Sequence, residues 1–292
     1  MNPLLIKIQQ YLSKATTGPT NIPDDILDEF ARAAREALRR QFNDPVREKF
    51  TLRMSNVGRP LCQLKLERDG VVGETNPYTG KLTSLFGDLI EAMALCVMKA
   101  AGVNIQSINE KVSMEIGGIT LQGTYDVIID GKLYDIKSVS KYQWDTKYGP
   151  AGGFDKILGD DPFGYVAQGY AYAYCKGIPF GGWIVINKNT GEWHIVEAPE
   201  DKDGSRSKDS LRLIDKNIRA IISNEPFKRE FTDEPEYFRR KPTGNRVLGS
   251  TCGWCKYKQS CWPGLKSLPA LASEGQNPRT MDYTHIDDRW KK

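Results

Sequence analysis

The chain has 292 residues, of which 39% are hydrophobic and 27% are charged, a balance typical of a soluble globular protein with one large domain or two small ones. It has no run of eighteen apolar residues and no secretory pattern near its start, which argues against a membrane span or a signal peptide and favours a cytoplasmic location. A net charge of +4 permits nucleic-acid binding without requiring it.

The first third of the chain is predicted to be helical. Residues 1–22 suggest a short amphipathic turn or helix, and the acidic residues that follow favour a helix that runs to Arg40 and carries a basic polar face. The clearest amphipathic helix is predicted over residues 82–101, where Glu91 lies one turn after Gly87 and off the centre of the apolar stripe.

The middle of the chain predicts a β-hairpin. Residues 119–129 and 132–139 are rich in β-branched and aromatic side chains, as strands are. Asp130-Gly131 between them suits a two-residue type I′ turn, in which both central positions need a positive φ. We therefore expect two antiparallel strands, each continuous over its range.

Three charged residues of this hairpin are predicted to lie near one another. Side chains alternate faces along a strand, so Asp135 and Lys137 share a face, and counting back from the turn brings Asp126 near them. Such a group is costly unless it binds something, and hard oxygen ligands suit Mg²⁺ or Mn²⁺. Lys137 could orient a water or neutralise charge that develops on a phosphate. The alternative is a solvated strand face with a surface ion pair.

The second half of the chain is predicted to alternate helices, hairpins and irregular segments. In chain order, the pattern predicts a mobile loop over the site at 145–164, a helix at 163–175, a hairpin of 181–187 with 192–197, a helix at 207–223, an irregular surface segment at 224–250 and an irregular tail after Pro269.

One predicted helix carries a polar residue that a buried core would not favour. Tyr165, Gln168 and Tyr172 fall on one face of the helix. Aromatic packing explains the tyrosines, but a buried amide must satisfy several hydrogen bonds. Gln168 therefore suggests a polar role on that face.

Four of the six cysteines suggest a metal site. Cys252, Cys255 and Cys261 follow a C-x2-C-x5-C spacing, and three thiolates so close in sequence indicate metal binding. A fourth ligand is needed, no histidine is near, and Cys62 is the candidate. The spacing alone leaves iron–sulfur and zinc open. The remaining cysteines, Cys96 and Cys175, are expected to be buried apolar residues inside helices.

Together these residues resemble a nuclease family. Asp126 followed by Asp135-Ile136-Lys137 resembles the signature of the PD-(D/E)xK nuclease superfamily, although Tyr125 stands where a proline is frequent; the RecB-like branch often lacks that proline. Other motifs that resemble RecB-like nucleases are the helical Glu91 after Gly87 and the Gln168-x-x-x-Tyr172 pattern. The cysteine arrangement resembles the iron–sulfur members, the CRISPR-associated RecB-like exonucleases and the AddB nuclease domain.

The resemblance implies an α/β (α+β) fold. A mixed central β-sheet would be flanked by helices in a PD-(D/E)xK core, with a cysteine-ligated metal cluster as a staple. The expected division is an N-terminal helical region at 1–54, the nuclease domain at 55–265 and a tail at 266–292.

The resemblance also implies an activity, metal-dependent exonucleolytic hydrolysis of DNA in repair and recombination, phage DNA metabolism or CRISPR adaptation. The implied substrate is DNA with a free end or single-stranded DNA, and the implied protein partners are recombination, helicase or CRISPR-adaptation proteins. The implied site residues are Glu91, Asp126, Asp135 and the Ile136 carbonyl as ligands of Mg²⁺ or Mn²⁺, Lys137 at the attacking water, Gln168 and Tyr172 as orienting residues, and Cys62, Cys252, Cys255 and Cys261 as ligands of a 4Fe-4S cluster or, alternatively, of zinc.

Two other activities stay open at this stage. One is a structure-specific or restriction-like endonuclease with the same site residues. The other is a DNA-binding recombination partner whose nuclease site is idle.

Overall fold

The computed structural model describes residues 2–43, 50–74 and 78–290. They divide into two compact units, one within Met1–Gly58 and Pro77–Arg219 and the other within Arg59–Asn76 and Ala220–Lys292. The three-part division expected from the sequence stays a prediction. None of the helices in this described part of the chain has the length and apolar character needed to cross a bilayer.

The helices and strands follow one another in this order. The α-helices of the described ranges are α1 (Pro3–Ala15), α2 (Asp24–Phe42), α3 (Met54–Val57), α4 (Leu61–Arg68), α5 (Tyr78–Ala100), α6 (Lys141–Gln143), α7 (Phe154–Gly159), α8 (Tyr165–Lys176), α9 (Ser205–Ile222), α10 (Ser250–Gly253) and α11 (Lys258–Cys261). The strands are β1 (Ile105–Ile108), β2 (Lys111–Ile116), β3 (Ile119–Thr124), β4 (Val127–Ile129), β5 (Lys132–Val139), β6 (Phe180–Asn187), β7 (Trp193–Glu197), β8 (Glu234–Phe238), β9 (Lys241–Val247), β10 (Lys266–Pro269) and β11 (Thr280–His285). A π-helical turn spans Trp144–Tyr148 and a 3-10 turn spans Asp288–Trp290.

The first unit is built on a mixed five-stranded sheet, as the sequence predicts. Its strand order is β1-β4-β5-β6-β7. The central pair β5 and β6 is parallel, and the other neighbours are antiparallel. Strands β2 and β3 form a separate hairpin.

Helices cover both faces of this sheet because its strands alternate their apolar side chains. On β5, Tyr134 and Ile136 join the core beneath α1 and α5, whereas Leu133 and Val139 join the core beneath α8. Such two-sided burial accounts for the nearly continuous apolar sequence of β6. The arrangement is the helix-flanked mixed sheet that the sequence predicts.

The central hairpin turns where predicted, but its first strand is broken. Asp130 and Gly131 have φ values of 48° and 73°, and Ile129 pairs with Lys132 across the turn. The prediction of one strand over 119–129 was wrong, since Tyr125 and Asp126 lie between β3 and β4. The chain changes partners at this point, because β3 pairs with β2 whereas β4 pairs with β1 and β5.

The segment 145–164 is not the loop that its glycines and prolines suggest. It contains most of the π-helical turn and all of α7. Trp144, Tyr148, Phe154 and Ile157 are buried in the core that α8 covers. The prediction of a loop was wrong for this part of the chain, because Tyr148, Phe154 and Ile157, with Trp144 just before them, pack the segment against the sheet. Its mobility stays a prediction.

The second unit contains a four-stranded antiparallel sheet in the order β10-β11-β9-β8. The predictions of an irregular segment at 224–250 and an irregular tail after Pro269 were therefore wrong. The strands look polar because buried polar groups hold them together. Glu236, which is buried, accepts hydrogen bonds from Thr243 Oγ1 and Asn245 Nδ2, both at 2.8 Å, and from the Tyr283 hydroxyl at 2.9 Å.

Candidate functional site

The hairpin register places two aspartates opposite each other. The last pair of the β4–β5 ladder is Val127 with Tyr134, and the next positions outward are Asp126 and Asp135. The ladder ends there, so the backbone N–H of Ile136 is bonded by a side chain instead: it donates to Asp126 Oδ2 at 2.7 Å. The strand break at Asp126 thus ties the first carboxylate of the motif to the second strand.

Asp135 and Lys137 form a buried ion pair on the face of β5 beneath α8. Asp135 is only 4% exposed, and its Oδ2 lies 2.7 Å from Lys137 Nζ. That oxygen accepts no well-directed hydrogen bond from the residues that the structure describes. A buried carboxylate oxygen in this state can still accept a strong ligand.

Lys137 is held in its charged form. Its Nζ lies 4.3 Å from the centre of the Tyr165 ring, a cation–π distance. Burial lowers the pKa of Lys137, but the charges of Asp135, Tyr165 and Asp126 outweigh that effect and raise the pKa above its ordinary value. The lysine therefore acts as a fixed positive charge and hydrogen-bond donor rather than as a base.

Glu91 reaches the same group from helix α5. A Cβ added to Gly87, one turn earlier, would meet Ser138 Oγ at 3.7 Å, so this part of the helix lies close to β5. Burial, and then the charge of Asp135, raises the pKa of Glu91. Glu91 and Asp135 are therefore close enough for their charges to act on each other.

Among these carboxyls, Asp126 has the most strongly raised pKa. Burial raises its pKa well above the ordinary value, and the charges of Asp135 and Glu91 raise it further. Lys137 is the positive side chain that opposes them most. Three carboxylates and one ammonium leave a formal charge of −2 when all are ionised, which a divalent cation would cancel.

Helix α8 brings Gln168 and Tyr172 beside these carboxylates. The Gln168 Nε2 donates to the Tyr172 hydroxyl at 3.4 Å, a long hydrogen bond. Tyr172 is buried, and burial raises its pKa to about 12, with further contributions from Asp135 and Asp126. A Cβ at Gly123 would come within 2.5 Å of the Tyr172 ring, so the glycine of β3 makes room for the tyrosine.

A second charged pair borders Glu91 and was missed by the sequence reasoning. Arg40, at the end of α2, lies 2.8 Å from Asp88 on α5, and Gln41 also donates to Asp88 at 2.8 Å. Arg40 and Asp88 act on the pKa of Glu91 with opposite signs. The i, i+3 spacing of Asp88 and Glu91 on an amphipathic helix was the available signal.

Comparisons with known proteins show distant structural similarities, among them two crystal structures. The crystal structure of SSO0001 is 14% identical, with a TM-score of 0.41, over 78% of this chain and 93% of that chain. The crystal structure of a protein from Eubacterium rectale, provisionally named an exonuclease, is also 14% identical, with a TM-score of 0.35, over 55% of this chain and 72% of that chain. No family profile and no curated protein matches the sequence. The function therefore has to be argued from the site.

The second unit brings the four predicted cysteine ligands around one cavity. Cys62 from α4, Cys252 from α10, Cys255 and Cys261 line it, together with Trp262. Burial, and then Glu230, raises the pKa of Cys62 to about 12. Burial and the neighbouring Cys261 and Cys255 raise the pKa of Cys252 to about 11. The thiols are thus near enough to affect one another, although Cys62 is far from the others in sequence.

Within the described ranges none of the six cysteines forms a disulfide, and four of them line this cavity. Cys96 is buried as expected, while Cys175 is only partly buried.

The carboxylates of the first unit and the thiols of the second are both chemically suited to bind a metal. In residues 2–43, 50–74 and 78–290, no three His, Cys, Asp or Glu side chains are arranged as ready metal ligands. The carboxylates of the first unit nevertheless offer hard oxygen donors and an excess of negative charge that Lys137 offsets only in part, which fit Mg²⁺ or Mn²⁺. The thiols of the second unit are soft donors, which fit zinc or an iron–sulfur cluster.

Proposed function

We propose that the chain is a Mg²⁺- or Mn²⁺-dependent DNA exonuclease of the RecB-like PD-(D/E)xK type. The observation that carries this proposal is the group of Glu91, Asp126, Asp135 and Lys137, of which Asp135 is buried and the others are partly buried, with its uncompensated negative charge and the raised pKa of two of its carboxyls. A purely structural ion pair would need one carboxylate for its lysine, not three.

In this proposal the carboxylates of Glu91, Asp126 and Asp135 and the carbonyl of Ile136 hold the cation. When bound, the cation would lower the pKa of a water and offset the charge that gathers on the phosphate. The Asp126 side chain is already held in place for this role, because one of its carboxylate oxygens, Oδ2, accepts a hydrogen bond from the Ile136 N–H.

Lys137 positions the attacking water and stabilises the phosphate oxygens as their charge grows. Its raised pKa keeps it protonated, so it donates hydrogen bonds and does not take a proton. Gln168 and Tyr172 orient the carboxylates or the DNA from α8. In the reaction a water oxygen bonds to phosphorus and a P–O ester bond breaks. One proton of the water ends on the leaving hydroxyl and the other is released from the new phosphate group.

The four cysteines of the second unit are proposed to hold a 4Fe-4S cluster with a structural role, with zinc as the alternative. Two observations support this proposal: the four cysteines line one cavity, and Cys261 and Cys255 are close enough to raise the pKa of Cys252. Bound metal would join α4 to the segment of α10 and α11, and metal-binding energy of this kind is folding energy.

The test is digestion of end-labelled linear DNA, single- and double-stranded, with Mg²⁺, Mn²⁺ or a chelator. We expect metal-dependent release of short products from ends by the wild type and none by Asp135→Asn. A circular single-stranded DNA in the same assay separates the alternatives: its cleavage would show an endonuclease instead. DNA binding without any cleavage of linear or circular DNA would show an idle site.

A further inference from the structure

A stack of two aromatic rings leads away from the lysine of the site. The rings of Phe163 and Tyr165 are stacked, with centroids 5.3 Å apart and planes inclined by 28°. Tyr165 in turn lies 4.3 Å from Lys137 Nζ. Phe163 is 36% exposed, so the stack runs from the buried lysine to the surface.

The loop that carries Phe163 is held in one conformation. Asp161 accepts the N–H of Tyr165 at 2.9 Å and that of Val166 at 2.8 Å, which caps the start of α8. Gly164 has a φ of 73° and packs so closely against Gly58 that a Cβ would come within 2.3 Å of its backbone. The ring of Phe163 is therefore presented at low entropic cost, as a preorganised ligand contact should be.

Phe163 is placed differently from the core phenylalanines under α8. A phenylalanine that only closed the core would be buried, as Phe154 and Phe180 are under the same helix. Phe163 instead turns part of its ring to solvent at the end of α8 that bears Tyr165 and Gln168. A partly exposed aromatic ring next to a lysine that is proposed to contact phosphate is an arrangement on which an unpaired base can stack.

We propose that Phe163 is a base-stacking platform that makes the site specific for single-stranded DNA or frayed ends. This inference rests on the proposed nuclease function. An unpaired terminal base has a free face that can stack on Phe163 while its phosphate reaches Lys137. A blunt duplex end would first have to unpair and unstack, at a cost in free energy that the single strand does not bear.

The experiment compares Phe163→Ala and Phe163→Leu with Phe163→Trp. Phe163→Leu keeps apolar volume without a ring, so it serves if the alanine variant does not fold. The matched control is Tyr174→Ala, because Tyr174 is exposed on the same helix and nine residues, or about 180°, from Tyr165. Affinity is measured by fluorescence anisotropy of labelled single-stranded and blunt duplex oligonucleotides in chelator, and KM and kcat are measured with metal.

We expect the alanine and leucine variants to bind single-stranded DNA about tenfold more weakly and to raise KM by a similar factor, with kcat and duplex affinity little changed. Phe163→Trp should retain the affinity, and Tyr174→Ala should behave as the wild type. Wild-type single-strand affinity of Phe163→Leu, or equal losses on both DNA forms, would overturn the proposal. Because binding is measured without metal, weaker single-strand binding by the Phe163 variants would support the platform even if the wild type cleaved nothing, an outcome that would defeat only the nuclease assignment.

Discussion

The carboxylate of Asp126 accepts the backbone N–H of Ile136 at 2.7 Å, across the point where the β4–β5 ladder ends. This single bond replaces the ladder bond that the strand break removes. It also fixes Asp126 against the strand that carries Asp135 and Lys137. The geometry of the site therefore depends on a departure from regular sheet structure, in which one side chain substitutes for a backbone acceptor.

Lys137→Ala should abolish cleavage while leaving the fold and most DNA binding intact. Removal of one preorganised charge that acts on the transition state typically lowers kcat by about 10²–10³-fold. Asp135→Asn should have a similar effect, because it removes the partner of Lys137 and a proposed cation ligand. Single-turnover cleavage and circular dichroism of the purified variants check both statements. Cleavage at the wild-type rate by folded Lys137→Ala would remove the lysine from the mechanism.

Glu91→Ala should raise the metal concentration needed for half-maximal activity. Burial, and then the charge of Asp135, raises the pKa of Glu91, so its loss removes both a proposed ligand and attraction for the cation. The readout besides activity is the rise of the melting temperature with Mg²⁺, which mass action predicts for any ion that binds the native state. Glu91→Ala should flatten that rise.

The matched control for Glu91 is Glu115→Ala. Glu115 is exposed on β2 and accepts a hydrogen bond from Thr120, with no contact to the site among its described interactions. Its replacement should leave the metal dependence unchanged. Equal, small effects of the two substitutions would show that Glu91 is an ordinary helix-surface residue.

The grouping of Asp126, Asp135 and Lys137 was predictable from sequence because it depends on local geometry. The turn at Asp130-Gly131 fixes the register, and the register alone puts Asp126 opposite Asp135. Lys137 shares a face with Asp135 by strand alternation. Glu91 was placed at the site only by the family resemblance, because the approach of its helix to β5 depends on packing that the sequence does not express.

The parts that failed depend on contacts between distant residues. The break at Tyr125 and Asp126 arises because β3 and β4 pair with different strands. Strands β8, β9 and β11 were missed because Glu236 satisfies the polar groups of Thr243, Asn245 and Tyr283 inside the second unit. Polar sequence usually indicates surface, and only the fold shows that these groups bond one another.

Gly123→Ala should destabilise the first unit and impair activity together. The new Cβ would lie 2.5 Å from the Tyr172 ring and 2.8 Å from Met54 Cβ, both in a packed core, and such overpacking costs about 1–3 kcal/mol. Gly87→Ala is the matched substitution, since its Cβ meets Ser138 Oγ at an ordinary 3.7 Å. A glycine-to-alanine change inside helix α5 should stabilise the protein by about 0.5–1 kcal/mol. Denaturant unfolding of both variants measures the difference, and a neutral Gly123→Ala would show that Tyr172 is not confined as described.

Cys62→Ala should lower both the metal content and the solubility of the protein. Cys62 is the thiol of the cavity that comes from far upstream in the chain, so a bound metal would tie α4 to the C-terminal segment of the second unit. Loss of a thiolate ligand removes binding energy that is also folding energy. An anaerobic preparation of the wild type with a 4Fe-4S cluster should be brown and absorb near about 400 nm, whereas a zinc protein should be colourless.

The controls for this prediction are the two cysteines outside the cavity. Cys96 lies in α5 and Cys175 in α8, both in the first unit, so Cys96→Ala and Cys175→Ala should leave the iron content of the protein unchanged. Elemental analysis gives the deciding measurement, because about four iron atoms per chain distinguish the cluster from a single zinc. One zinc and no iron in an anaerobic preparation would remove the cluster. It would leave the nuclease proposal in place, since the cysteines and the carboxylates belong to different units.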